Sequence, residues 1–293
     1  MTVLNLLVTG GGGQLGRSLA EVPGVAVHAP TSAELDVTSA GAVIEAVSSL
    51  AAPAVVINAA AYTAVDKAES EPARAFAVNA DAPRVLAAAC SSRNVPLIHV
   101  STDYVFAGDA TTPYDVDSPV GPQGTYGVTK LAGEDAVLGS GARSWIVRTS
   151  WVYSAYGSNF VKTMARLESS RETLSVVDDQ RGAPTWAADL AAGLVELANR
   201  IAGGAAPASR ILHCTGGGET TWFEFARAVF TELGADPDRV SPCTTADYPT
   251  PAKRPAYSVL SNASWVEAGL TPLRPWREAL SAAFAAHDFR VSS

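Results

Sequence analysis

Short runs of consecutive apolar, often β-branched residues alternate with longer alanine-rich stretches through the first half of the chain. A strand buried on both faces reads as a near-continuous apolar run, and parallel neighbours need crossover helices, so this rhythm predicts βαβ units around a parallel sheet. Strands are expected at residues 4–9, 25–29, 54–59, 96–101 and 144–149. Helices are expected at 13–21, 40–50, 72–92 and 126–139, from apolar spacing and strong helix formers. Thr38 or Ser39 would cap the second helix, and Glu71 with Pro72 would open the third. After Trp151 glycine, proline and aromatic residues become denser, with loops expected at 178–185, 203–209, 216–220 and 248–257 and helices near 187–201 and 222–233. The expected fold class is α/β: a doubly wound parallel sheet over residues 1–150, to which segments near 180–212 return, and a smaller C-terminal α/β domain drawn mainly from 151–293.

With 293 residues the chain can bury a sizeable core without staples. Cys90, Cys214 and Cys243 are too few and too scattered for a disulfide framework, and His28, His99, His213 and His287 show no ligand spacing. His213 beside Cys214 reads as a strand end rather than half of a zinc site. A formal charge of -8 repels phosphate backbones and argues against a nucleic-acid partner. The apolar start has no basic region before it and runs into glycines, and no uninterrupted apolar stretch is long enough to span a membrane. A cytoplasmic protein is expected, with no membrane partner.

The first strand ends in Thr9-Gly10-Gly11-Gly12-Gly13-Gln14-Leu15-Gly16 and leads straight into a helix. Gly10, Gly13 and Gly16 have the spacing of a dinucleotide loop of the Rossmann type, with a tight turn, close approach to a pyrophosphate and close helix packing. About twenty residues on, where an acid would bind the ribose of NAD, the chain reads Ala29-Pro30-Thr31-Ser32. With Arg17 available to a 2′-phosphate, this points to NADPH, with NADH tolerated. Asp36, followed by Val37, either accepts from an adenine amino group or caps the next helix.

Tyr126 and Lys130 fall one turn apart on one helix face. An ammonium there favours tyrosinate and brings a phenol towards the working pH, as a general acid for carbonyl reduction requires. Ser101-Thr102-Asp103-Tyr104 ends a strand at the carboxyl edge of the sheet, where open α/β folds bind ligands.

These segments, with Asn58-Ala59-Ala60-Ala61-Tyr62-Thr63-Ala64-Val65-Asp66, Arg148 to Tyr153, Asp179 to Thr185 and Arg254-Pro255, resemble the extended short-chain dehydrogenase/reductases, and within them the dTDP-4-dehydrorhamnose reductase branch. The resemblance runs nearly the whole length. It implies reduction of the C4 keto group of a nucleotide-linked 4-keto-6-deoxy sugar, with the C-terminal domain binding the substrate. Thr102 would hold the carbonyl, Tyr126 would deliver the proton, and Lys130 would bind the nicotinamide ribose and tune Tyr126. Gly10, Gly13, Gln14, Leu15, Gly16, Asp36, Val37, Ala59, Ala60, Ala61 and Asn79 would complete the cofactor site, Asn79 from the helix behind it. Thr63, Val65, Asp103, Tyr104 and Trp151 would line the sugar pocket, and Arg254 would meet the pyrophosphate; Asp66 reads as structural. Some members are joined through a carboxylate-bound magnesium ion, so a monomer or homodimer is implied, with magnesium at a dimer interface and no acids of this chain assigned to it. A 4,6-dehydratase is disfavoured because Tyr104, not glutamate, follows Asp103. An epimerase, and a regulatory subunit like the beta subunit of methionine adenosyltransferase, remain as alternatives.

Overall fold

The computed structural model describes residues 3–290, so the outermost ends of the two expected domain ranges lie outside the described residues. Six strands form one fully parallel sheet: β1 (Asn5–Thr9), β2 (Ala26–His28), β3 (Ala54–Asn58), β4 (Leu97–Thr102), β5 (Ser144–Thr149) and β6 (Ile211–His213), in the spatial order β2-β1-β3-β4-β5-β6. The apolar runs explain why it is buried on both faces. Leu6, Val8, Val55, Ile57 and Val147 face a cluster completed by Leu15 and Leu19 of α1 (Gln14–Ala20) and Leu190 and Leu194 of a later helix. Leu7, Val56, Leu97 and Ile146 point the other way, against α2 (Ala40–Ser48), α3 (Ala82–Ser92) and α4 (Thr125–Gly139). Alternate residues of one strand thus serve opposite layers. The sheet reverses its winding between β1 and β3, which leaves a crevice at the strands' carboxyl ends.

The helix expected over 72–92 is broken into Pro72–Phe76, a wider π turn at Ala77–Asp81, and α3. The i+4 partner of the Asn79 carbonyl is Pro83, which has no N–H to offer, so the regular ladder cannot pass through. A short helix at Val65–Ser70 lies in a stretch with no helix expected.

Beyond β5 the chain leaves the sheet and returns to it. Helix α5 (Ala187–Ala202) packs beside α1, and β6 pairs with β5. A second core forms from the helices Phe160–Ser170, α6 (Trp222–Leu233) and Trp276–Ala286 around Tyr153, Val161, Met164, Phe225, Phe230 and Leu280, with Leu174–Val177 and Val240–Cys243 paired in parallel.

One ion pair is embedded between these layers. Arg148 of β5 grips Glu134 of α4, its Nη2 donating at 2.7 Å and its Nε at 3.0 Å, with both side chains almost wholly buried. The guanidinium lies 5.0 Å from the centre of the Phe106 ring. Removing one partner of such a pair leaves a buried charge uncompensated, whereas replacing both with apolar groups does not. Glu134→Leu should therefore lower unfolding stability by about 3–5 kcal/mol in urea titration, and Glu134→Leu with Arg148→Met should recover most of that loss. A single variant as stable as the parent would contradict this accounting.

Candidate active site

The carboxyl ends of β1, β3, β4 and β5 open into a cleft of ≈ 660 Å³. One wall is the glycine loop. Gly10 turns the chain with φ of +77°, a Cβ at Gly11 would lie 1.9 Å from the Ala29 oxygen, and one at Gly16 would lie 2.3 Å from the Gly10 oxygen. Both close approaches exclude any side chain. Gly13 is under less pressure, with its nearest contact at 3.2 Å, and it faces the cleft with Gln14, Leu15 and Gly16. The loop is thus a cradle pressed against β2 and the chain after β3. Its open side and the free N–H groups of the first helical turn fit a pyrophosphate.

Not all of the other expected cofactor residues border the cleft. Ala59 and Ala61 line the cleft, but the Ala60 N–H turns inward to donate to Asn58 Oδ1 at 3.2 Å. Asp36 accepts from the Thr38 N–H and hydroxyl at 2.9 and 2.7 Å in an exposed turn ahead of α2, whose N-cap is Ser39, so it does not cap that helix, and neither it nor Val37 borders the cleft. Arg17 stacks over the Tyr156 ring at 5.3 Å, and the Tyr156 hydroxyl bonds Glu21. The cation–π contact takes Arg17 to the 156 loop rather than to a ribose phosphate. Residues 29–32 carry no acid, yet the Glu34 carboxylate folds back onto the Thr31 N–H and hydroxyl at 2.8 and 2.9 Å, beside Gly12.

Thr102 ends β4, while Tyr126 and Lys130 face it from the first turns of α4. The Thr102 hydroxyl donates to Asp103 Oδ1 at 2.9 Å and accepts the Tyr104 N–H at 3.2 Å. Lys130 is 2% exposed and donates to the Val100 carbonyl at 2.8 Å. Burial pushes it down to about 8, against the opposing pull of Glu134. Burial also pushes the Tyr126 phenol up to about 12, with a Thr102 hydrogen bond opposing. Burial thus moves the phenol in the opposite direction from the one expected of the Tyr126–Lys130 spacing. Asn79 does not reach the cleft. It accepts the Tyr62 N–H at 2.8 Å and donates to the Tyr62 carbonyl at 3.1 Å and the Thr129 hydroxyl at 3.0 Å, bracing the chain after β3 against α4.

On the far side stand Thr63, Val65, Asp103, Tyr104 and Trp151. Trp151 follows β5 with φ of +46°, a costly conformation for a bulky residue. Its indole is held by two neighbours: Trp222 of α6 stacks on it at 3.5 Å and 7°, and Gly182 lies so close that a Cβ would come within 2.3 Å of the ring. Arg254 is outside the cleft wall. Its Nη2 donates to Asp66 Oδ2 at 2.7 Å, while Asp66 Oδ1 accepts the Ala252 N–H at 3.1 Å. Asp66 thus ties the 252–254 strap to the helix after β3.

Residues 4–289 match the family model described as the RmlD substrate binding domain. The dTDP-4-dehydrorhamnose reductase of Streptomyces griseus is 51% identical over 284 residues, 96% of this chain and 93% of that one. The dTDP-4-keto-6-deoxy-D-glucose reductase of Streptomyces niveus is 44% identical over 285 residues, 95% of this chain and 96% of that one. A crystal structure of the Bacillus anthracis dTDP-4-dehydrorhamnose reductase in complex with NADP superposes with a TM-score of 0.91 at 35% identity, covering 98% of this chain and 100% of that one. The chain belongs to the dTDP-4-dehydrorhamnose reductase family.

In this member of the family, sequence reasoning missed Trp222, Ser150, Gly157 and Ser158, all of which border the cleft. Trp222 opens α6 after a Thr221 cap, and no local signal ties it to a tryptophan so distant in sequence. Asp103 is the most perturbed acid of the site. Burial raises it from 3.8 to about 6, against the Ser258 and Thr102 hydroxyls, and its Oδ2 has no hydrogen-bond partner. A raised carboxyl binds its proton more tightly folded than unfolded, so stability is lost as pH rises from about 4 through about 6. Asp103→Asn should be more stable than the parent at pH 7 by about 1–3 kcal/mol, with the difference shrinking below pH 4. Urea unfolding at both pH values measures this, and a variant less stable at pH 7 would refute it.

Proposed function

We propose that this protein reduces the C4 keto group of a nucleotide-linked 4-keto-6-deoxy sugar, converting dTDP-4-dehydro-L-rhamnose to dTDP-L-rhamnose. The observation that carries the reading is a single cleft in which Thr102, Tyr126 and Lys130 stand between a dinucleotide cradle and an indole wall. A reduced nicotinamide dinucleotide supplies the hydride when bound. NADPH fits the cradle, and the Bacillus anthracis relative is described in complex with NADP. NADH is accepted as well: Arg17, the cation that would favour a 2′-phosphate, packs over the Tyr156 ring. Residues 1–150, with roughly 180–212, form the dinucleotide-binding lobe, and the remainder of 151–293 forms mainly the sugar-binding lobe.

The chain's own residues then act on the sugar. Tyr126 donates its proton to the C4 oxygen as negative charge develops there; a phenol held near 12 by burial keeps that proton until an oxyanion claims it. Thr102 has one proton, and it rests on Asp103. When Asp103 is protonated that proton is released, so Thr102 can donate to the carbonyl. Lys130 holds the nicotinamide ribose, with Asn79 bracing its helix. Val65, Trp151 and Trp222 give the apolar surface on which a 6-deoxy sugar packs. Arg254, aimed by Asp66, meets the pyrophosphate at the mouth through charge-assisted bonds. No helix among the described residues is long and apolar enough to cross a membrane, and a cytoplasmic monomer or homodimer fits a soluble substrate. Among those residues no group of three or more histidines, cysteines or acids gathers to hold a metal, so magnesium enters only if two protomers share it.

Loss of reduced cofactor absorbance should require the nucleotide-linked keto sugar, with free keto sugar turned over far more slowly, since the nucleotide orients the carbonyl. Tyr126→Phe should lower kcat by about a hundredfold or more while NADPH affinity is kept. Near-parental turnover by Tyr126→Phe, with a deuterated cofactor showing that chemistry limits the rate, would remove Tyr126 from this role.

A further inference from the structure

The corner between the glycine loop and the end of β2 carries a charge that the reduction chemistry does not use. β2 stops at His28, and the chain leaving it runs against the loop: the Gly11 N–H donates to the Pro30 carbonyl at 3.0 Å, and a Cβ on Gly12 would meet the Thr31 methyl at 3.6 Å. In an open α/β fold the adenosine ribose of a dinucleotide lies at this corner, between the glycine loop and the chain that follows the second strand. Thr31 offers two donors there, its N–H and its hydroxyl, and both end on one oxygen, Glu34 Oε2, at 2.8 and 2.9 Å. Among the described residues no group donates to Oε1, and the Glu34 side chain is exposed. The Thr31 N–H, and then its hydroxyl, hold the carboxyl below its ordinary range.

The same contacts close a turn, since the Glu34 and Leu35 N–H groups both return to the Thr31 carbonyl, at 3.0 and 2.9 Å, and Leu35 is buried. Closing that turn needs only an acceptor. The negative charge is surplus to it, and it stands where a cation would be needed to favour a 2′-phosphate. Arg17, the cation next to the last motif glycine, packs over the Tyr156 ring instead, and His28 is the one titratable neighbour whose charge reaches Glu34. We propose that Glu34 sets how this protein weighs NADPH against NADH, its carboxylate opposing the 2′-phosphate through charge. This rests on the reading of the glycine loop as a dinucleotide cradle. NADPH still binds, because the pyrophosphate and nicotinamide halves are common to both forms and Glu34 acts only on the part that differs.

The test is fluorescence titration of the two reduced dinucleotides, with no sugar present. Glu34→Gln keeps an oxygen for Thr31 and removes only the charge, so at low salt its dissociation constant for NADPH should fall by about fivefold or more relative to that for NADH. A ratio of the two constants within about twofold of the parent's would overturn the proposal. Glu45→Gln makes the same charge change on the exposed side of α2 and should leave the ratio where it was. A shift there as large as that of Glu34→Gln would mean that net charge alone acts, and would also overturn it. If Glu34→Gln does not fold, the parent decides. High salt screens repulsion and should strengthen NADPH relative to NADH, whereas a 2′-phosphate held by a cation would lose affinity; a ratio that stays flat or moves that way refutes the role of Glu34. Failure of both dinucleotides to bind would remove the cradle and this inference with it, while binding of both with an unmoved ratio removes the inference alone.

Discussion

A lysine side chain cannot be taken out of water unless its neighbours replace the water, and Lys130 is almost completely enclosed. The layout of the carboxyl edge of the sheet follows from that demand. Thr9, Asn58 and His99 lie in register on three neighbouring strands below the cleft, and Arg148 lies beyond them on β5, with Glu134 reaching down from α4. Every link spans two different elements, so the interior is polar in a line and apolar on either side. The line also ties the strand order to the chemistry, because a register slip in any one strand would turn its polar residue into the apolar layer.

Much of the architecture was legible because it depends on local pattern. Five of the sheet's six strands and helices α1, α2, α4, α5 and α6 fall within a few residues of their expected positions, since apolar periodicity and turn residues act over short spans. Helix 72–92 was misread because alanines there mask the effect of Pro83 on a carbonyl four residues earlier. The helices Phe160–Ser170 and Trp276–Ala286 were left unassigned among the loops of the second half. Of the residues chosen from motifs, Gly13, Gln14, Leu15, Gly16, Thr63, Val65, Thr102, Asp103, Tyr104, Tyr126, Lys130 and Trp151 meet in one cleft.

The misses share a physical cause. Arg17 follows the last motif glycine, but its destination is decided by Tyr156, far along the chain. Arg254 goes to Asp66, Trp151 to Trp222, and Lys130 to His99; none of these pairings has a periodicity or spacing to announce it. Gly11 shows the same thing for backbone. It stands outside the spaced trio, yet its contact with Ala29 is the tightest in the loop, because the chain leaving β2 passes against it and the Gly11 N–H donates to the Pro30 carbonyl. Motifs identify which side chains have chemistry to offer, while the long-range partners decide their charge and direction.

The return of the chain to the sheet has a consequence for biosynthesis. The outer edge of β5 is covered at Ile146–Arg148 by β6, and β6 lies beyond α5 and part of the second core. A nascent chain released as far as Thr149 therefore presents an apolar strand with unpaired N–H and C=O groups on one side, the kind of edge that recruits other strands. At translation speeds of about 5–20 residues per second, His213 follows on the order of several seconds later. Arg148, the fifth of the six residues of that strand, places a charge in the edge, which disfavours pairing with another chain.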